Sequence, residues 1–303
     1  MELDNKLCYL VLFFKCNLLT YITYLYYFIL FSIYIYKMNL IADNCKRLST
    51  IFKEDFSSLV LLPKIEKLIN KQEPTLEDVL GLCSGNQSLL EKLTRRGGFG
   101  GGGDEFAKEI LFKKGLSFLK SLAIRTMNQE IFELPLKLSG ISEAILKKRA
   151  VILARFIKHY NEILGLRADD AYLCGLFYNF SYVAYEKLIH LQALEHSAFD
   201  ECREECVRWT AQAMIDIGFD DSITSFIADS SKDLFSTSFP FGQALARIGN
   251  GLLINAEESA STSLRRGATI DRDLLDATGL TTREIVNVLK DLTRDYKGGV
   301  KHI

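Results

Sequence analysis

Beyond Met38 the apolar residues of this chain recur every three to four positions, and no stretch alternates with the period of two that a half-buried strand needs. That regularity confines the chain to the all-α class, a compact bundle of many helices. Pro63 suits the first position of a helix, with Ile65, Leu68 and Ile69 following at helical spacing. Thr75-Leu76-Glu77-Asp78 has the form of a capping box, a hydroxyl that takes an orphan amide and an acid in the first turn. Leu89, Leu90 and Leu93 mark a further short helix, which breaks at the glycine run beginning with Gly97. Leu116, Leu119, Leu122 and Ala123 form the next apolar face. The longest expected helix runs from about Ser142 to Leu164, and one of its two apolar rows, Ile145, Ile152, Phe156 and Ile163, is interrupted by Arg149. A cation in such a row must be paired, reach the surface, or mark a site. Further helices are expected over Ala171–His190, around Cys206 to Ile217 with Gly218 as its stop, over Ser222–Phe235 and over Phe239–Ala256. The polar run from Glu257 to Ser263 reads as a linker. Thr281 with Glu284 then opens an amphipathic helix whose face carries Ile285, Leu289, Leu292 and Tyr296. Folding back onto the domain is the expected use of that face.

With 303 residues, 48% of them hydrophobic and 25% charged, the chain can build one sizeable domain with extensions, or two small ones, and is not a disordered protein. Its formal net charge of −1 gives no footprint for nucleic acid, and none is expected as a partner. Seven scattered cysteines in apolar surroundings suit reduced, buried thiols and a cytoplasmic body. The N-terminal segment differs in kind. Residues 16–36 carry no charge and are enough to cross a bilayer as a helix. Lys37, Lys46, Arg47 and Lys53 after it, against Lys6 and Lys15 before it, would keep the body in the cytoplasm. Two readings stand: a membrane anchor, or upstream sequence ahead of a natural start at Met38. A membrane is a partner only under the first. The expected organisation is a hydrophobic segment 1–37, a helical domain 50–256, and a linker with a C-terminal helix over 257–303.

Three chemistries can be weighed on the residues. The Gly97–Gly103 run lacks the Lys-Ser or Lys-Thr that a phosphate loop uses and has no preceding strand, so it reads as a connector. Cys202 and Cys206 with His190 and His196 offer zinc donors without a compact CxxC pair, and the intervening acids read as a solvated face. A metal-dependent phosphohydrolase would have to draw on Asp169, Asp170, His159 or His190.

From about Ser58 to Ala256 the order of features resembles the HDOD domain, a bacterial signalling relative of the HD metal-dependent phosphohydrolases. Leu62-Pro63-Lys64-Ile65 is similar to the family's opening Leu-Pro segment, Thr75-Leu76-Glu77-Asp78-Val79 to its Ser-Leu-x-x-Leu helix start, and Leu119-Lys120-Ser121-Leu122 to its Leu-Arg-x-Leu. Leu173-Cys174-Gly175-Leu176-Phe177-Tyr178-Asn179-Phe180 resembles the family's Leu-x-Gly-Leu-Leu-His-Asp-Ile. In the enzymatic relatives a leading His, the His-Asp pair and a later Asp bind the metal. The matching positions here hold Arg149, Tyr178-Asn179 and, after Gly249, Asn250, while Ser230-Ser231 falls where some relatives carry a His pair. Arginine has no lone pair to give, and asparagine keeps the shape of aspartate without its charge. The resemblance therefore implies a degenerate, non-catalytic signal-transduction module with no metal and no cofactor. It implies a vestigial pocket of Arg149, Tyr178, Asn179 and Asn250, and signalling proteins as partners. A small anionic ligand held by Arg149 in that pocket is the alternative.

Overall fold

Two helices touch backbone to backbone near the centre of this protein, and glycine is what lets them. The computed structural model describes residues 26–32, 43–82, 86–99, 103–132, 136, 141–190, 199–258 and 270–297, and all regular secondary structure among them is helical. The chain divides into two compact units, Met1–Asn44 and Cys45–Ile303. In the first, 26–32 is helical, and the rest of the proposed membrane segment lies outside the described residues. No helix among the described residues is long and apolar enough to cross a membrane.

The second unit begins within α1, a helix over residues 43–55. It is followed by α2 (Ser57–Ile69), α3 (Leu76–Leu82), α4 (Gln87–Gly97), α5 (Gly103–Glu109), a π turn over Ile110–Lys114 and α6 (Leu116–Phe132). Then come α7 (Glu143–His159), α8 (Asn161–Leu164), α9 (Ala168–Phe177), α10 (Ser181–His190), α11 (Phe199–Ile217), α12 (Asp221–Ala228), α13 (Pro240–Glu258), α14 (Arg272–Thr278) and α15 (Thr282–Lys297). The central pair is α7 and α9, against which α6, α12, α13 and α15 pack. A Cβ on Gly175 would lie 2.7 Å from both the Ala154 Cα and the Leu153 carbonyl oxygen, so only glycine permits this approach. Gly249 does the same on a smaller scale, where a Cβ would meet Leu153 Cδ1 at 2.9 Å and Phe156 Cδ1 at 3.0 Å.

Several helix boundaries depart from the sequence expectation for identifiable reasons. Pro63 lies inside α2, so the Leu59 carbonyl lacks the amide donor it would otherwise meet one turn on. The true start of α2 is capped from afar: Glu130 on α6 accepts from the Ser58 amide at 3.0 Å and from the Ser57 hydroxyl at 3.2 Å, and Lys92 neutralises it at 3.0 Å. The long helix expected over Ser142–Leu164 is two, because Tyr160 leaves the helical region at φ −106°, ψ 19°. The helix expected through Ala171–His190 is also two, with a turn over 178–180 between them. Ser222–Phe235 is helical only to Ala228, after which the Asp229 carboxylate takes the Ser238 amide at 2.6 Å and Lys232 at 2.7 Å and holds the chain in short turns. Glu257 belongs to the last turn of α13, not to a linker; residues 259–269 lie outside the described residues.

Other expectations hold. Thr75 and Asp78 cap α3 reciprocally, the Thr75 amide donating to Asp78 at 2.8 Å and the Asp78 amide to the Thr75 hydroxyl at 3.2 Å. Those bonds, together with Lys71, hold the Asp78 carboxyl down at about 2. Thr281 and Glu284 make the same box at the start of α15. That helix folds back on α7 with Ile285 and Leu289 fully buried. Gly218, at φ 103°, ends α11.

Gly175→Ala is expected to lower stability by about 3 kcal/mol or more, since the added methyl has no room between two backbones. Gly251→Ala, in open space within α13, is expected to raise it by up to ~1 kcal/mol through helix propensity. Urea unfolding of both variants checks the pair.

Candidate functional site

The turn between α9 and α10 carries Tyr178-Asn179, and aromatic packing fixes it. Phe177 and Phe180 flank the pair, with ring centres 5.4 Å apart. Phe180 lies 5.0 Å from Phe52 and 6.1 Å from Phe56, and Phe177 lies 5.5 Å from Phe219. The Phe180 amide donates to the Phe177 carbonyl at 2.9 Å and the Val183 amide to the Phe180 carbonyl at 3.0 Å, so the backbone tightens before α10 begins. The helix thus stops where the polar pair is needed.

Asn179 is buried and donates through Nδ2 to Asn250 Oδ1 at 2.9 Å. The bond ties the α9–α10 turn to α13, and each amide is neutral, so neither group requires a metal to offset it. Tyr178 is buried beside it and hydrogen-bonds Arg247. Burial pushes its phenol up, while the nearby Arg203 and Arg247 pull in the opposite direction. Arg149 is not part of this meeting. Its Nε and Nη2 reach Glu257 Oε2 at 2.7 and 2.6 Å, and Lys148 stands 3.6 Å from the other oxygen. Glu257 lies seven residues beyond Asn250 on α13, about 10 Å along the helix axis. Three of the four candidate residues therefore cluster, and Arg149 is engaged elsewhere by a carboxylate. Ser230 and Ser231 form part of the short turn after α12.

Among the described residues the donors weighed for metal chemistry do not converge. Asp169 and Asp170 face Lys120, at 3.6 and 3.5 Å. His159 packs edge-on against Tyr160, and exposed His190 lies 3.4 Å from Glu186. Cys202 and Cys206 are buried on α11, where burial and its neighbour Cys202 push the Cys206 thiol up. His196 lies outside the described residues. Among the described residues no three His, Cys, Asp or Glu side chains gather where an ion could sit.

A second polar centre was visible in the sequence only as isolated charges. Lys120 on α6 is almost fully buried and meets Glu66 of α2 at 2.7 Å, with Asp169 and Asp170 of α9 slightly farther away. Arg167 closes the arrangement from outside: it bonds Glu66, donates to Asp170 at 2.6 Å and lies 3.5 Å from Asp220 at the start of α12. Glu66, Lys120, Asp170 and Asp220 wall a cleft of about 440 Å³, mouth included, with an apolar side of Leu62, Pro63, Leu173, Phe219 and Ile223. Burial alone would raise the Glu66 carboxyl, but hydrogen bonds from Lys120 and Arg167 outweigh it and hold it below its ordinary value. The hydrogen bond to Asp170 is the main reason Arg167 holds its proton more tightly than usual. The cluster joins α2, α6, α9 and α12, and a sequence gives no sign that residues 66, 120 and 167 meet.

Comparison with known proteins adds no relative: no protein-family model, curated protein or solved structure matches the chain.

Asn179→Asp replaces the donor with a charged acceptor facing Asn250 Oδ1 and is expected to cost about 1–3 kcal/mol. Asn250→Asp keeps an acceptor for the Asn179 amide and is expected to cost less. Chemical unfolding at neutral pH tests that order. Because the folded carboxyl of Glu66 is depressed, its stabilisation is complete above the unfolded value of about 4.3 and is lost as pH falls through the lower folded value. Stability is therefore expected to drop below about pH 4, and Glu66→Gln should flatten that acid limb in thermal melts.

Proposed function

We propose that this chain is a non-catalytic regulatory module of the HDOD type, acting in bacterial signal transduction through protein contact. The observation that carries the reading is the Asn179–Asn250 hydrogen bond. At two positions where the resembling enzymes place metal-binding carboxylates, this chain has two neutral amides that satisfy one another. A divalent ion gains little from such a pair, because hard cations are held by charged or strongly polarised oxygens that converge on them. The pairing of Arg149 with Glu257 supports the same reading over an anion sensor at this pocket, since the guanidinium already has its carboxylate.

Such a module works by presenting a shaped helical surface. Tying the α9–α10 turn to α13 keeps that surface rigid, which lowers the ordering cost a partner must meet on binding.

The full chain, purified without added metal, is expected to carry no stoichiometric metal and to turn over no nucleotide or phosphoester when supplied with manganese. Metal analysis and a phosphate-release panel check this. Turnover that disappears on substituting Asp169, Asp170, His159 or His190 would overturn the reading.

A further inference from the structure

Two half-buried cations on α7 differ from those that a carboxylate answers at close range. Lys120, Arg149 and Lys92 each have a carboxylate within 3.0 Å. Arg155 and Lys158, both half-buried, meet no carboxylate within 4 Å among the described residues, and the Arg155 Nε–H is buried without an acceptor. A buried guanidinium donor left unpaired is expensive, and such groups commonly mark the place of an absent water or ion. Three residues apart, the two side chains share one face of α7.

What surrounds them is polar and drawn from other helices. Lys158 Nζ lies 6.0 Å from the ring centre of Tyr172 on α9, and the Tyr172 hydroxyl takes a hydrogen bond from buried Asn128 of α6 at 3.3 Å. The other end of that amide, Asn128 Oδ1, also lacks a partner. Turning the amide over would let its oxygen accept from the Tyr172 hydroxyl and leave its N–H2 free to donate. Burial raises the phenols of Tyr172 and of Tyr296 on α15; the Asn128 hydrogen bond opposes this at Tyr172, and the Arg155 charge opposes it at both.

We propose that Arg155 and Lys158, with the Tyr172 and Tyr296 hydroxyls and the Asn128 amide, form a binding site for a small oxyanion, a phosphate or carboxylate group. Arginine supplies the planar fork that meets two oxygens, lysine a point charge, and the phenols neutral donors. The site is independent of the Asn179–Asn250 pair. It would give the module an input, because α15 packs on the helix that carries it.

Calorimetric titration of the full chain with inorganic phosphate, and separately with citrate, tests the site. Saturable binding of at least one is expected, and whichever binds tighter identifies the oxyanion class. Arg155→Gln should weaken it about tenfold or more, the loss of a charge-assisted bond, and Lys158→Gln several-fold. Arg208→Gln, exposed on α11, should bind as the wild type does. Since Arg155 has no carboxylate to abandon among the described residues, Arg155→Gln is expected to fold, as checked by circular dichroism. If it does not, Arg155→Lys gives the same reading by keeping the charge and losing the fork. Absence of saturable binding by the wild type, or equal binding by a folded Arg155 variant, would overturn the proposal.

Discussion

The close approach of α7 and α9 at Gly175 is the constraint on which the rest depends. Burying almost every side chain of α9 requires α9 to sit deep against α7, and that depth is set by the absence of one Cβ. The depth in turn brings the α9–α10 turn within a single hydrogen bond of α13, and brings Asp169 and Asp170 to Lys120. A looser crossing would separate both polar centres, because hydrogen bonds and buried ion pairs fail over an ångström or so where apolar contacts only weaken.

The two centres are built on opposite principles. At Asn179–Asn250 two neutral amides satisfy one another, so the site needs no counter-ion. Around Lys120 charge has been concentrated, with carboxylates from three helices answering two cations. Replacing one such buried partner leaves the others uncompensated, which commonly costs about 3–5 kcal/mol. The first arrangement is a tether and the second a knot.

The helical class, the two capping boxes, the stop at Gly218 and the inward face of α15 were legible because each rests on local spacing or on neighbours three or four residues apart. Pro63 misled because a proline in the first turn and one in mid-helix read alike, and what decides between them is Glu130, far along the chain, capping Ser57 and Ser58. Tyr160 and Tyr178 interrupt helices that periodicity carries straight through, since tyrosine is no breaker and tertiary packing sets the bend. The meeting of Asn179 with Asn250 was foreseen only through a family resemblance. The Lys120 cluster, and the lack of a carboxylate beside Arg155 among the described residues, could not be foreseen at all, because both depend on which charges from distant segments are brought together.

The ion pairs also have a history within each molecule. Glu66 bonds Arg167 across 101 residues of chain, and Arg149 bonds Glu257 across 108. Closing loops of that size is entropically late work, done after the local helices have formed. These pairs are therefore expected to act chiefly on the rate at which the native state opens and hardly on the rate at which it is reached. Their contribution would be lifetime: a domain that is slow to come undone keeps both of its polar centres assembled.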